Sequence, residues 1–258
     1  MEKPPKLRKV VTSSLKTVAN GYSYARHLVQ GNRILGDMSW MRDGTRPVIL
    51  VHGFLGTRGT MQPMTRRLRS DGRVVFSYSF GTFQTRSLRN SSEGLAQHVR
   101  RICEELDIDK VDLVGFSMGG LVAMHAVKFL SAHTHVDKLV TLGSPFQGSP
   151  LAYPGVALFG AFSPSVWQVV PNSRFLRELA TAPMPDGVAF RQIHGSMDFF
   201  APPPGPLPGV GPRDYLILPG GHSTLAVADH VFEAVKEFLD ADVPVDTIDT
   251  PALHPAAE

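Results

Sequence analysis

The chain has 258 residues, of which 43% are apolar, and it contains 24 glycines and 21 prolines. This size and apolar content fit one domain with a sizeable core and many tight turns. The formal net charge of +3 is too small to indicate nucleic-acid binding, so we expect no nucleic-acid partner.

The first 42 residues are predicted to form a helical extension. Apolar residues fall along one side of 10–30, which predicts a helix packed on the body of the protein; peripheral membrane attachment is the alternative. Polar residues interrupt this stretch too often for a signal peptide, and no segment approaches the length of a membrane span. We therefore expect a soluble, cytoplasmic protein without an integral membrane segment.

Strands and helices are predicted to alternate through residues 43–240, which we assign to one domain. The predicted strands are 47–54, 73–80, 111–114, 136–144, 188–196 and 213–220. The predicted helices are 60–72, 92–107, 121–127 and 223–240. Apolar strands separated by helices indicate an α/β fold with a mostly parallel central sheet flanked by helices.

Residues 146–187 interrupt this alternation. They are rich in proline, glycine and large apolar residues, and they are too many for a simple connection. We predict an apolar lid or cap insertion with two short helices, around 165–170 and 173–179, the second capped by Asn172 or Ser173. Residues 241–258, which are rich in proline and acidic residues, are predicted to be a tail.

The strongest chemical signal is the sequence Gly-Phe-Ser-Met-Gly at residues 115–119. It stands between a predicted strand and a predicted helix, which is the context of a nucleophile elbow. The sharp turn strains the backbone of the serine, and glycines two residues away on either side avoid steric clashes. The pattern predicts that Ser117 is a nucleophile.

A serine nucleophile needs a base, and the base needs an orienting acid. Asp198 follows the predicted strand at 188–196, and His222 follows the predicted strand at 213–220. The order Ser117, Asp198, His222 is the one found in doubly wound hydrolases, where all three residues meet at the carboxyl edge of the sheet. We therefore predict these three residues as a catalytic triad.

Other acids and histidines are less suitably placed in the predicted topology. Asp137 and Asp214 begin strands, at the opposite edge of the sheet. Asp229 and His230 fall inside the last predicted helix, and His194 falls within a strand.

No metal or cofactor is expected. His133 and His135 have the spacing of a metal-binding pair, but no carboxylate or cysteine cluster accompanies them, so we interpret them as an exposed loop. Cys103 is the single cysteine and cannot form an internal disulfide; we expect it in the core.

An oxyanion hole requires two backbone N–H donors. The amide of Met118 follows the nucleophile at a helix N-terminus, where amides lack intrahelical partners. The second donor is predicted to be the amide of Phe54, in the loop where Gly53 permits a turn. His52 is interpreted as a residue that fixes this loop.

Taken in order, six motifs make the chain resemble an α/β-hydrolase, and more narrowly the bacterial triacylglycerol lipases and lipase-like esterases. The motifs are VHGFLG, GFSMGG, TLGSPFQGSPLA, PNSRFLREL, GSMDFFAPP and GGHSTL, and they span about residues 47–240. The resemblance implies the same triad and the same two oxyanion amides. The chain has Phe116 where many of these lipases have histidine, and it lacks evident counterparts of the calcium-binding aspartates and disulfide of secreted relatives.

The leading hypothesis is a carboxylic-ester hydrolase that works through an acyl-enzyme. An acyltransferase or thioesterase on the same scaffold is the alternative, and a non-catalytic binding protein is the third. The candidate substrate-binding residues are Phe116, Phe146, Leu151, Phe159, Phe162 and Trp167. The insertion favours medium or long acyl chains if it opens over the site, and short chains if it forms a fixed cap. The sequence leaves the oligomeric state and the alcohol portion open.

Overall fold

The computed structural model describes residues 45–54, 56, 58–79, 86–161 and 163–241. The predicted extension at 1–42, the candidate pocket residue Phe162 and the tail after residue 241 lie outside these ranges. Within the ranges that are described, no helix has both the length and the apolarity needed to cross a bilayer.

Six strands form one parallel sheet in the order β2-β1-β3-β4-β5-β6. The strands are β1 (Val48–Val51), β2 (Val75–Tyr78), β3 (Val111–Phe116), β4 (Val136–Leu142), β5 (Ala189–Gly195) and β6 (Tyr215–Leu218). The predicted α/β fold with a parallel central sheet is confirmed.

Helices cover both faces of the sheet. They are α1 (Gln62–Ser70), α2 (Leu88–Leu106), α3 (Met118–Phe129), α4 (Ala152–Phe159), α5 (Pro164–Gln168), α6 (Arg174–Thr181), α7 (Thr224–Val227) and α8 (Asp229–Asp240). Short 3₁₀ turns at Arg58–Met61 and Ala132–His135 precede α1 and β4.

The core consists of two apolar layers, one on each face of the sheet. Ile49 and Val51 of β1 join the layer that contains α2, α3 and α6, whereas Val48 and Leu50 join the layer that contains α1, α7 and α8. Successive side chains of a strand point to opposite faces, so a strand that is covered on both faces must be apolar throughout. This explains why β1 is an uninterrupted apolar run.

The single last helix predicted at 223–240 is wrong, because the chain breaks it at Ala228. Ala228 has φ −85° and ψ 146°, which is extended backbone between α7 and α8. Arg67 of α1 donates a hydrogen bond of 2.7 Å to the carbonyl of Val227 and forms an ion pair with Asp229. A tertiary contact thus occupies the carbonyl at the break, and helix periodicity alone could not reveal it.

The insertion contains three helices, one more than predicted. Helix α4 was missed because its sequence includes Pro154 and Gly155, which disfavour helix interiors, although proline is tolerated in a first turn. A Cβ on Gly155 would lie 3.1 Å from Val166 of α5, so the glycine allows these two helices to pack closely. The cap of α6 is Ser173, whose hydroxyl oxygen accepts the Leu176 N–H at 3.2 Å.

A buried cluster of charges lies near the amino ends of the strands. Arg73, Asp112 and Lys138 are each almost completely buried. Arg73 approaches Asp112 to 3.8 Å and also pairs with Asp240 at the end of α8. Lys138 donates hydrogen bonds to the carbonyls of Leu239 and Ala241 at 2.9 and 2.5 Å. The cluster thereby fixes the C-terminal end of α8 to the sheet.

Burial raises the pKa of the Asp112 carboxyl from 3.8 to about 7, in opposition to the nearby cations Lys138, Arg46 and Arg73. Neither carboxyl oxygen accepts a hydrogen bond from the described part of the chain. A carboxyl whose pKa is higher in the folded than in the unfolded protein contributes fully to stability below the pKa of the unfolded state. This contribution is lost as the pH rises through the pKa of the folded state.

The Asp112→Asn variant carries a permanently neutral side chain of similar size. We therefore expect it to lack this pH-dependent loss of stability. Its free energy of unfolding minus that of the wild type should increase by more than about 1 kcal/mol between roughly pH 4 and pH 8. Urea unfolding across that range measures the difference. A difference that stays constant with pH would show that Asp112 is ionised when folded.

Candidate functional site

The candidate site residues converge at the carboxyl edge of the sheet. Ser117 directly follows β3, Asp198 follows β5, and His222 follows β6. The loop at His52–Phe54 follows β1, which is the neighbour of β3. Parallel pairing aligns the ends of these strands, and the backbone N–H of Ser117 extends the ladder by donating to the Leu142 carbonyl at 2.8 Å.

Ser117 has a strained backbone, with φ 55° and ψ −126°. A Cβ on Gly115 would lie 2.5 Å from the Gly120 Cα, and one on Gly119 would lie 2.2 Å from the Val51 carbonyl oxygen. Both distances are far below contact, so only glycine fits at these two positions. Such strain persists only where surrounding structure holds it, and it presents the serine side chain above the sheet edge.

His222 joins Ser117 to Asp198 through its two ring nitrogens. Its Nε2 lies 3.0 Å from Ser117 Oγ, and its Nδ1 lies 2.7 Å from Asp198 Oδ2. A carboxylate only accepts hydrogen bonds, so Nδ1 carries the proton and Nε2 is left to accept the serine hydroxyl. The imidazole is thus held in the tautomer that a general base requires.

The Asp198 carboxylate is completely buried, and both of its oxygens accept hydrogen bonds. Oδ1 accepts the N–H groups of Phe200 at 3.0 Å and Ala201 at 2.8 Å, while Oδ2 accepts His222. A buried carboxylate is tolerated where such bonds replace water. Gly143, with φ 57°, packs against this pair, since a Cβ there would lie 3.0 Å from Asp198 Oδ2 and 3.2 Å from His222 Nδ1.

Two aromatic rings contact the His222 imidazole. The buried Phe116 ring lies 4.8 Å from it between centroids, and the Phe200 ring stacks on it at 5.3 Å with an interplanar angle of 26°. Sequence reasoning missed Phe200 and Gly143. For Phe200, the available signal was the pair of phenylalanines directly after Asp198. For Gly143, it was the glycine that directly follows the apolar residues of β4.

The loop after β1 carries Phe54, one of the two predicted oxyanion donors. The Gly53 carbonyl accepts the Gly56 N–H at 3.1 Å and lies 2.9 Å from His52 Nδ1. In a trans peptide the next N–H points the opposite way, so these bonds turn the Phe54 amide away from the loop. A Cβ on Gly53 would lie 2.8 Å from Ser117 Cβ, which shows how close this peptide is to the serine. Met118, the other predicted donor, is the first residue of α3.

The competing acids and histidines are engaged elsewhere. Asp137 pairs with Arg46 at 3.0 Å, and Asp214 pairs with Arg191 at 3.2 Å. His230 lies 3.0 Å from the Pro219 carbonyl. None of these three contacts involves Ser117.

His194 is completely buried in β5, where its Nε2 lies 2.9 Å from the side-chain amide of Gln192. Burial lowers its pKa to about 4, an effect only partly opposed by the charge of Asp198. The ring is therefore neutral near pH 7.

No group of three or more potential metal ligands occurs among the residues that the structure describes. His133 and His135 lie on the 3₁₀ turn and contact the backbone carbonyls of Val127 and Asp109. Cys103 is buried in the layer of α2 and α3, as expected.

The candidate substrate-binding residues have different environments. Phe159 of α4 packs edge-on against Phe54, with ring centroids 6.0 Å apart. Phe146 is buried in the core, in edge contact with Phe190. Leu151 is exposed, and Trp167 is 55% exposed, with its indole N–H donating to the Gly160 carbonyl at 3.0 Å.

The parallel sheet with a strained serine between β3 and α3 defines the α/β-hydrolase class. Residues 46–182, just over half of the chain, match a family model described as alpha/beta hydrolase fold. The chain belongs to this family.

Several curated proteins are similar over part of the chain. A probable alcohol acetyltransferase of Wickerhamomyces anomalus is 27% identical over 44% of this chain and 32% of its own length. The epoxide hydrolase EphH of Mycobacterium tuberculosis is 30% identical over 55% of this chain and 73% of its own length. A triacylglycerol lipase of Pseudarthrobacter phenanthrenivorans is 31% identical over 41% of this chain and 35% of its own length. The matched segments thus span about a third of the acetyltransferase and of the lipase.

The fold is shared with solved lipases. The mature form of the Bacillus licheniformis lipase BlEst2 superposes with a TM-score of 0.64 at 17% identity, covering 79% of this chain and 95% of that one. The likeness at this identity concerns the fold, and it extends to most of the described residues.

The elbow geometry predicts that Gly119 cannot be replaced. The Gly119→Ala variant should lose about 2 kcal/mol or more of stability, because the added Cβ would overlap the Val51 carbonyl. The matched control is Gly205→Ala, where a Cβ meets nothing within 4 Å and the expected change is small. Thermal unfolding compares the two; equal midpoints would contradict the close approach of α3 to β1.

Proposed function

We propose that the protein is a serine carboxylic-ester hydrolase of the lipase or esterase type, with Ser117, His222 and Asp198 as its catalytic triad. The observation that carries the proposal is the continuous chain from Ser117 Oγ to His222 Nε2 at 3.0 Å and from His222 Nδ1 to Asp198 Oδ2 at 2.7 Å. The strained backbone of Ser117 and the family membership support it.

In the first half-reaction Ser117 Oγ attacks the ester carbonyl carbon while His222 Nε2 takes the hydroxyl proton. Asp198 stabilises the resulting imidazolium and does not itself take the proton. The amides of Phe54 and Met118 stabilise the oxyanion of the tetrahedral intermediate. The intermediate collapses to an acyl-enzyme, and the departing alcohol takes the proton from the imidazolium.

In the second half-reaction water attacks the acyl-enzyme. His222 accepts a proton from the water, the carbonyl again becomes an oxyanion, and the carboxylic acid leaves as the proton returns to Ser117 Oγ. The same groups therefore serve both halves, and no cofactor takes part in the proposal.

The surface around the site supports an apolar acyl group in the substrate. Large apolar side chains are exposed on the insertion and on the loop after β5; they are Leu151, Tyr153, Leu158, Trp167, Met197, Phe199 and Phe200. The two groups adjoin, because Ser149 donates a hydrogen bond to the Phe200 carbonyl. Exposed large apolar side chains on two adjoining segments favour an apolar partner, here a lipid-like ester.

We further propose that residues 146–187 form a cap on a hydrolase domain at 43–240, and that α4 is its movable part. Helices α5 and α6 are tied to the body, since the Gln168 side chain accepts the Leu88 N–H at 2.6 Å and Lys128 donates to the Leu179 carbonyl at 2.9 Å. Helix α4 buries Ala152 alone among its residues, so its displacement would uncover little of the core.

An acyltransferase is the second candidate, favoured by the similarity to a protein named as a probable alcohol acetyltransferase. It would use the same acyl-enzyme, with an alcohol in place of water as the attacking group. Product analysis with an added alcohol separates the two: free acid as the main product supports the hydrolase, and a new ester supports the transferase. Styrene oxide in parallel tests for epoxide opening, the activity in the name of the mycobacterial relative.

Ser117→Ala should abolish hydrolysis of p-nitrophenyl esters and leave the fold intact. The hydroxyl supplies the nucleophile and little packing, so kcat should fall by about 10³-fold or more while the unfolding midpoint changes little. Appreciable activity in the folded variant would exclude Ser117 as the nucleophile.

Asp198→Asn should leave KM nearly unchanged and lower kcat strongly. The neutral His222 ring would no longer be held in the required tautomer, and its imidazolium form would lose its charge partner. Asp214→Asn is the matched control, since Asp214 also lies near the sheet but pairs with Arg191. Steady-state kinetics measures both. A larger loss in the Asp214 variant would contradict the assignment of the acid.

Phe159 is expected to contribute to the acyl-binding wall through its contact with Phe54. A series of p-nitrophenyl esters from acetate to palmitate should give the highest kcat/KM at a medium or long chain, and Phe159→Ala should shift the maximum to another chain length. Phe129→Ala, which removes a half-exposed ring at the end of α3, is the control and should keep the wild-type maximum. A steady fall from butyrate onward in the wild type would indicate a short-chain esterase.

A further inference from the structure

Phe200 contacts both partners of the candidate nucleophile. Its backbone N–H donates to Asp198 Oδ1 at 3.0 Å, and its ring stacks on the His222 imidazole. Any movement of this residue therefore alters the acid and the base together. Yet its side chain is more than half exposed and lies on a loop, so ring packing does little to fix it.

The backbone of Phe200 is held by Ser149, at the start of the insertion. The Ser149 hydroxyl donates to the Phe200 carbonyl with an O–O distance of 2.5 Å, which is at the short end of the range for such bonds. The same hydroxyl oxygen accepts the Leu151 N–H at 3.2 Å. Ser149 thus connects the insertion to the loop that carries Asp198.

Ser149 is itself firmly placed. It is 9% exposed, its N–H donates to the Val169 carbonyl, and its carbonyl accepts the Ala152 N–H, each at 3.0 Å. The preceding Gly148 has φ 94° and fits against Pro171, where a Cβ would come within 2.5 Å of the proline Cα. The hydroxyl is therefore a fixed point relative to the cap.

We propose that Ser149 is a positioning residue of the site: by holding the Phe200 carbonyl it keeps the Ala201 amide of the same peptide and the Phe200 amide on Asp198, and the Phe200 ring on His222. This rests on the proposed function, in which His222 is the general base. The position of the base thereby depends on the start of the insertion, although Ser149 touches no reacting atom.

The kinetic test compares Ser149→Ala with Ser149→Thr. Loss of the hydroxyl should lower kcat for a p-nitrophenyl ester by about tenfold with KM changed by less than about twofold, since orientation is lost and binding is not. The threonine variant keeps a hydroxyl and should recover most of the rate. A kcat within about twofold of the wild type in Ser149→Ala overturns the proposal.

Ser173→Ala is the matched control. Ser173 is another hydroxyl of the cap, but it caps α6 and bonds the Leu176 amide and the Gln168 carbonyl rather than the loop after β5. It should loosen the cap with little effect on kcat. If it lowers kcat as much as Ser149→Ala, the effect is general loosening and the proposal fails.

A second measurement does not depend on ester hydrolysis. The His222 Nδ1–H in its short bond to Asp198 should give a low-field proton NMR resonance, assigned by its loss in His222→Gln. We expect this resonance to broaden or move upfield in Ser149→Ala and to persist in Ser173→Ala. An unchanged resonance in Ser149→Ala overturns the proposal. If the wild type cleaves no ester, the proposed function fails, and the resonance still decides the role of Ser149.

Discussion

The close approach of α3 to the end of β1 is the constraint on which the site depends. The backbone of Gly119 lies so near the Val51 carbonyl that no side chain fits between them. This contact forces the chain to turn sharply at Ser117 and holds the serine in a conformation that it would not adopt alone. A second close contact, between Gly53 of the loop after β1 and Ser117, places the loop of a candidate oxyanion donor beside the candidate nucleophile.

Two buried carboxyl groups differ in the hydrogen bonds that they accept. Asp198 accepts three hydrogen bonds at the carboxyl edge of the sheet, and these replace the water that burial removes. Asp112, at the opposite edge, has Arg73 at 3.8 Å but accepts no hydrogen bond from the described residues, and burial raises its pKa to about 7. Burial thus disfavours the charged form of Asp112, which lies where α8 is fixed to the sheet, whereas Asp198 lies among N–H donors at the candidate site.

The insertion is attached both to the body of the protein and to the candidate site. Gln168 and Lys128 fix α5 and α6 to the body of the protein, while Ser149 connects the first residues of the insertion to the loop after β5. Between these points α4 presents exposed apolar side chains and packs Phe159 against Phe54. This arrangement is compatible with the proposed movement of α4, in which Asp198 and His222 would keep their places beside the attached start of the insertion.

The sequence alone determined the fold class and the order Ser117, Asp198, His222, because apolar periodicity and glycine spacing are local properties. It also indicated which competing acids begin strands. It could not reveal the break at Ala228, the helix through Pro154 and Gly155, or the contacts of Phe200 and Ser149 with the site. Each of these depends on a partner distant in the chain: Arg67 for the break, Val166 for the close packing of α4, and the loop after β5 for Ser149. Only the tertiary structure brings those partners together, since side-chain contacts across the fold leave no periodic trace in the sequence.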